Sequence, residues 1–142
     1  MAGELNAMAL DVGERRIGVA VSDPLGSFSL PYETIERTNV RADVDRIVAL
    51  ARERGVRVIV VGDPLTLSGE RGIAARTIDG FVAHLARAYD GTIERVDERM
   101  TTAAVQKSLI GADVSRKKRK AVVDQLAAAL ILDTWLARRR NA

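Results

Sequence analysis

The sequence lacks several residue types on which common protein chemistries depend. It has no cysteine, which excludes disulfides, thiolate nucleophiles and zinc sites with cysteine ligands. His84 is the only histidine, so one chain cannot form a histidine-based triad or a site with several histidine ligands. Aromatic residues make up only 4% of the chain, too few to indicate binding through stacked bases. These absences direct attention to carboxylates and basic side chains.

The length and composition suit one globular domain that spans residues 1–142. Hydrophobic residues make up 47% and charged residues 29%, which is ordinary for a soluble protein. No apolar run approaches the roughly 20 residues of a membrane span, and the first residues lack the pattern of a signal peptide. We therefore expect no membrane association and a cytoplasmic location.

Basic residues are concentrated in two runs, although the net charge is only +3. One run closes the chain at 138–140, and the other is unbroken and consists of Arg116, Lys117, Lys118, Arg119 and Lys120. Clustered basic charge is expected of a protein that binds a polyanion such as nucleic acid. A solvated surface is the alternative, and it is stronger for 138–140 than for 116–120.

Apolar patterns along the chain predict the order β-β-β-α-β-α-β-α-α. We expect strands at 7–12, 17–22, 31–35, 56–61 and 92–97, and helices at 40–54, 73–89 and 101–110. A last helix, capped by Ser115, would run from the basic cluster to Arg138. Three antiparallel strands followed by alternating helices and strands predict an α/β fold. Its sheet would be mixed and five-stranded, with helices on both faces.

A lone acid, Asp11, ends the first apolar strand. Burying a carboxylate is unfavourable unless it is paired, hydrogen-bonded or bound to a metal. Strand alternation puts Ala7, Ala9 and Asp11 on one face, and Gly18 and Ala20 on the matching face of the next strand. This patch of small side chains predicts that a helix packs closely against it.

The last helix is the predicted partner of that patch. Asp124 lies on a stripe with Ala121, Ala128 and Ile131, and we expect this helix to bring Asp124 to Asp11. A third acid follows the edge strand, where open α/β sheets hold their sites. Either Asp97 or Glu98 could reach the same point.

A cluster of carboxylates beside a basic run predicts a metal-dependent nuclease. Hard oxygen ligands without histidine or cysteine select Mg²⁺ or Mn²⁺. Such ions activate water and stabilise displacement at phosphorus, and the basic run would hold the phosphate backbone. The alternative is structural: Asp11 caps the turn, Asp124 faces water and Glu98 pairs with Arg99.

Three ordered motifs resemble the YqgF/RuvX family of bacterial proteins, which are Holliday-junction-resolvase-like and are described as pre-16S rRNA nucleases. The opening motif is DVGERRIGVAVSDP at 11–24, the central one is DERMTT at 97–102, and the last is SRKKRKAVVD at 115–124. Together they extend the resemblance over about residues 7 to 137. Three motifs in order are far more specific than any one of them.

The resemblance implies an RNase H-like fold with catalytic and metal-binding roles for Asp11, Glu98 and Asp124. It also implies that the basic run from Arg116 to Lys120 contacts nucleic acid. Arg16, Thr101 and Thr102 match the motifs, and they would position a phosphate or the acids.

One segment departs from the family pattern. Where the family usually has G-L-P-x-N after the buried strand, this chain has Gly62-Asp63-Pro64-Leu65-Thr66. Asp63 either adds a fourth carboxylate beside Asp11 or faces solvent at the end of the strand. We expect it to face solvent, because acids at loop edges usually do.

The resemblance favours a divalent-metal-dependent endonuclease on structured nucleic acid, acting at the 5′ end of pre-16S rRNA in ribosome biogenesis. The first alternative is a resolvase of four-way DNA junctions, which needs paired cuts and hence a two-fold homodimer. Two alternatives come from other classes. One is a non-catalytic RNA-binding module, and the other is a relative of actin-like phosphotransferases, for whose two lobes this chain is too short.

Overall fold

The computed structural model describes residues 6–64, 70–98 and 116–141, and of 116–121 and 141 it describes the backbone only. The predicted helix at 101–110, the predicted cap Ser115 and the motif residues Arg99, Thr101 and Thr102 lie outside this part. Among the helices that are described, none has the length and hydropathy that a bilayer crossing requires.

Five strands form one mixed sheet in the order β3-β2-β1-β4-β5. The antiparallel strands are β1 (Ala7–Val12), β2 (Arg16–Ser22) and β3 (Ser29–Glu36). The parallel strands β4 (Val58–Asp63) and β5 (Thr92–Asp97) extend the sheet from β1. The three described helices are α1 (Val40–Arg54), α2 (Ile73–Ala88) and α3 (Arg116–Asn141). The prediction of a mixed five-stranded α/β sheet is confirmed.

Capping determines where α1 ends and β4 begins. Asn39 accepts a hydrogen bond from the Ala42 amide at the start of α1, and Gly55 ends the helix with a φ of 64°. The Val56 amide then donates to the Ala51 carbonyl at 2.8 Å. Because this residue still satisfies the helix end, the strand starts at Val58 rather than at the predicted residue 56.

The two faces of the sheet bury different kinds of side chain. Large residues such as Met8, Leu10 and Val19 pack with α1 and α2. The other face carries Ala7, Ala9 and Ala20, which pack with Ala128, Ile131, Leu132 and Trp135 of α3. Small side chains let the backbone of α3 approach the sheet, as the sequence predicts.

The backbone of α3 comes very close to the sheet at Gly18, in the middle strand of the antiparallel part. A Cβ atom at Gly18 would overlap the backbone carbonyl group of Asp124, and no rotamer change can relieve an overlap with backbone. Gly18 is also paired with Asp11 across the β1–β2 ladder. This contact therefore fixes the height of α3 over the hairpin and with it the position of Asp124.

Gly18→Ala should lower the free energy of unfolding by about 3 kcal/mol, because α3 must move away from the hairpin. Gly80→Ala is the matched control, since nothing lies within 4 Å of a Cβ atom there. That helical change should be neutral or stabilising by up to about 1 kcal/mol. Equilibrium denaturation of both variants measures the difference, and equal stabilities would contradict the close approach of α3.

Candidate active site

Asp11 lies near the end of β1 on the face that α3 covers. Its ladder partner Gly18 has no side chain, so the space beside the Asp11 carboxylate is bounded by α3 rather than by β2. Asp11 is half-buried, and burial raises its pKa despite a hydrogen bond that lowers it. A carboxylate in this setting favours a positive partner.

Glu98 follows β5 and reaches Asp11 across β4, the strand between them. Its amide donates to the Asp63 carbonyl at 3.2 Å, which holds the backbone against β4. The side chain then passes over Gly62, where a Cβ atom would lie 2.5 Å from Glu98 Oε2. Because Gly62 leaves this space open, the carboxyl groups of Glu98 and Asp11 meet in a hydrogen bond.

Strand alternation explains why Glu98 and not Asp97 reaches Asp11. Val96 is buried against α3, so Glu98 belongs to the same face two residues later. Asp97 is paired with Asp63 in the β4–β5 ladder and lies on the opposite face. Of the two acids that the sequence leaves open, the one that contacts Asp11 is Glu98.

The carboxyl group of Glu98 retains its proton near neutral pH. Burial is the main cause that raises the pKa of Glu98 to about 8, and the charge and hydrogen bond of Asp11 add to it. The protonated Glu98 thus donates to the Asp11 carboxylate near neutral pH. Removing that proton would leave two negative charges in contact, which requires a cation.

Asp124 stands beside this pair but is engaged by Arg16. Arg16 Nε lies 2.9 Å from Asp124 Oδ2, in a half-buried ion pair that joins α3 to the start of β2. Burial raises the pKa of Asp124, and the Arg16 guanidinium opposes that shift. The charge of Asp124 in turn raises the pKa of Asp11, so the two acids interact as the sequence predicts.

The acids do not form a finished three-ligand metal site. Within residues 6–64, 70–98 and 116–141, no group of three histidine, cysteine, aspartate or glutamate side chains is arranged to hold an ion. The contact of Asp11 with Glu98 supplies two oxygen donors of the kind that Mg²⁺ and Mn²⁺ prefer. Asp124 Oδ2 is paired with Arg16, and the charge of Asp124 acts on Asp11.

The expectation that Asp63 faces solvent is wrong. Asp63 is 8% exposed and lies on the opposite face from Asp11. Its carboxylate accepts from Arg71 Nη1 at 2.6 Å and from Arg95 Nη2 at 3.0 Å, and both arginines also pair with Asp79. Two guanidinium partners offset the burial of this acid, so it is a structural ion pair rather than a fourth ligand.

Two residues that matter here were not singled out from the sequence. Gly62 opens the path for Glu98, and a glycine in an otherwise β-branched strand is the signal that something approaches closely. Arg95 is a charged residue in a strand two positions before Asp97, and its ladder partner is Val61, two residues before Asp63. Only the register reveals that Arg95 is within reach of Asp63.

The basic run forms the first turns of α3. The backbone of residues 116–120 is helical and precedes Asp124 in the same helix by one to two turns. The run is therefore tied rigidly to the element that carries an acid of the candidate site.

Comparisons with known proteins identify the family to which the chain is similar. A family model described as RuvX, Holliday junction resolvase, matches residues 5–138. A protein of Trichormus variabilis is 42% identical over 139 residues, which covers 97% of this chain and 92% of that protein. A protein of Halalkalibacterium halodurans is 42% identical over 138 residues, which covers 96% of this chain and 99% of that protein. Both are named as candidate pre-16S rRNA nucleases.

A solved structure of the resolvase RuvC shares the fold. Thermus thermophilus RuvC, in complex with a Holliday junction substrate, aligns with a TM-score of 0.54 at 17% identity. The alignment covers 94% of this chain and 95% of that one, and it identifies the fold as RNase H-like. The family match extends over nearly the whole sequence and includes Asp11, Glu98 and Asp124. The chain therefore belongs to the RuvX family, a family of nucleases.

Proposed function

We propose that the protein is a divalent-metal-dependent endonuclease that processes the 5′ end of pre-16S rRNA. The contact between Asp11 and Glu98 is the observation that carries this proposal. Two carboxyl groups that share a proton in a half-buried position provide a place for a cation at the carboxyl end of the sheet. The names of the relatives from Trichormus and Halalkalibacterium supply the substrate.

Asp11 and Glu98 would hold the ion, with Asp124 as the third acid. Their oxygen atoms suit Mg²⁺ or Mn²⁺, and the sequence has no cysteine and only one histidine to favour a softer metal. When bound, such an ion activates water and stabilises charge at the phosphorus atom. Glu98 would release its proton as the ion arrives.

Arg16 would change partners in the same event. Its guanidinium is paired with Asp124, with Arg16 Nε 2.9 Å from Asp124 Oδ2. If Asp124 turned to a bound ion, Arg16 would become available to a phosphate oxygen of the substrate, which a guanidinium binds well. The basic run from Arg116 to Lys120 would contact phosphates farther along the backbone.

The second candidate function is the resolution of four-way DNA junctions. The description of the matching family favours it. It requires a homodimer, because two strands must be cut in a paired way. The same acids would serve either substrate, so only a comparison of substrates distinguishes the two functions.

Asp11→Asn should reduce cleavage of structured RNA on the order of 10²–10³-fold, since one charged ligand is lost from the reacting centre. The assay adds Mg²⁺ or Mn²⁺ back to chelator-treated protein, with pre-16S rRNA fragments and a four-way DNA junction as substrates. Asp45→Asn is the matched control, because Asp45 is exposed on α1.

Cleavage of the junction but not of RNA would support the resolvase function instead. Equal activity of Asp11→Asn and the control, with contaminating nucleases excluded, would contradict the acid assignment. Binding of RNA without any cleavage by the unaltered protein would leave only an RNA-binding module.

In chelator, the free energy of unfolding should decrease as pH rises between the ordinary pKa of glutamate, 4.5, and the pKa of Glu98, about 8. The folded protein retains a proton up to about pH 8, whereas an ordinary glutamate loses it near 4.5. The stabilisation is therefore complete below the lower value and lost as pH passes the higher one. Glu98→Gln keeps a neutral hydrogen-bond donor at every pH and should not show this loss.

Thermal denaturation of both proteins in chelator, at about pH 5, 7 and 9, measures the effect. The difference in melting temperature between Glu98→Gln and the unaltered protein should grow with pH. A constant difference would contradict the shared proton.

Changing Lys117 and Lys118 to glutamine should weaken RNA binding and make its affinity less sensitive to salt concentration, because two phosphate contacts disappear. The slope of log affinity against log salt should fall in magnitude by about 1.4 for a single-stranded contact region. A control that changes Arg52 and Arg87 to glutamine removes two exposed charges from α1 and α2. If both double variants have the same slope, the basic run is not part of the nucleic-acid interface.

A further inference from the structure

A cleft opens on the other face of the sheet, directly behind the candidate active site. It encloses about 480 Å³, within the range of small-molecule sites. The ends of β1 and β4 border it through Val12 and Pro64, and the first turns of α2 close its side. Val12 follows Asp11 in the same strand, so the cleft and the acid pair share one edge of the sheet.

The lining of the cleft is apolar at its floor and along one wall. Val12 is half-buried and Ile78 is buried, and both line the cleft together with Pro64. Ile73 is 84% exposed, an unusual position for isoleucine in the first turn of a helix. A flat ring that entered the cleft would cover this apolar surface.

The opposite wall carries polar groups in fixed positions. Arg37 Nε donates to Asp43 at 3.0 Å, Arg37 Nη1 donates to the Gly13 carbonyl at 2.9 Å, and the guanidinium stacks over Phe81. These contacts hold the guanidinium rigid beside the cleft. Glu14, from the β1–β2 turn, also lines the cleft, and its carboxylate can accept hydrogen bonds.

We propose that this cleft binds one unpaired nucleobase of the nucleic acid next to the phosphodiester at the acid pair, an inference that rests on the proposed function. A nucleobase has two apolar faces and an edge with both donors and acceptors, which the aliphatic wall, Arg37 and Glu14 match. A base must be unpaired to enter, because pairing occupies its edge and stacking covers its faces. The cleft would therefore select cleavage sites beside unpaired bases.

The test uses RNA hairpins that carry one unpaired 2-aminopurine at the cleavage site, or an abasic nucleotide in its place. The protein is the full chain with Asp11→Asn, so that the RNA stays uncut. Ala74→Leu narrows the cleft, since Ala74 lines it and is exposed, and Ala83→Leu is the same change on an exposed position of α2 outside it. Thermal denaturation checks that both variants fold.

Ala74→Leu should weaken binding of the 2-aminopurine hairpin about tenfold and leave binding of the abasic hairpin unchanged. 2-Aminopurine emission should rise on binding as the base leaves its stack, and Ala74→Leu should abolish the rise. Ala83→Leu should alter neither. If Ala74→Leu and Ala83→Leu bound both hairpins with the same affinities, the subsite would be overturned. It would also be overturned if the two variants had equal affinity for a free 2-aminopurine nucleotide. Failure of the unaltered protein to bind or cut any RNA would instead refute the proposed function.

Discussion

The contact of α3 with the β1–β2 hairpin is the constraint on which the candidate site depends. Alanine and glycine on this face let a helix backbone lie against a strand, with no room for even one methyl group at Gly18. The resulting separation is short enough for Asp124 to influence the ionisation of Asp11. A larger residue on this face would push α3 away and separate Asp124 from Asp11. The core on the other face of the sheet, where large side chains pack with α1 and α2, would be affected less.

Much of this arrangement could be predicted because it follows from local periodicity. The alternation in β1 and β2 identifies the small-residue face, and the helical stripe of Asp124 identifies the element that covers it. The bounds of α1 were predicted correctly from the helical spacing of its apolar residues and from Gly55 as its stop, and the structure adds Asn39 as its cap. The resemblance of three motifs to one family then indicated Glu98, which alternation from Val96 explains.

The features that sequence did not reveal depend on contacts between distant segments. Asp63 is neutralised by Arg71 and Arg95, residues 8 and 32 positions away, and only the fold brings them together. The ion pair of Arg16 with Asp124 spans 108 positions. The sequence predicted that Arg16 would help to position a phosphate or the acids. It did not predict that Arg16 would form an ion pair with Asp124. The Arg16 guanidinium therefore balances the charge of Asp124, an acid that is itself half-buried.

The three acids also come from separate parts of the chain, and the last of them is on α3. Asp11 lies in β1 and Glu98 directly follows β5, both ahead of this helix in the chain. Asp124 comes near Asp11 only when the helix has docked on the hairpin. Assembly of the acid cluster is therefore coupled to the docking of the last helix, so a chain without α3 would have Asp11 and Glu98 but no third acid beside them.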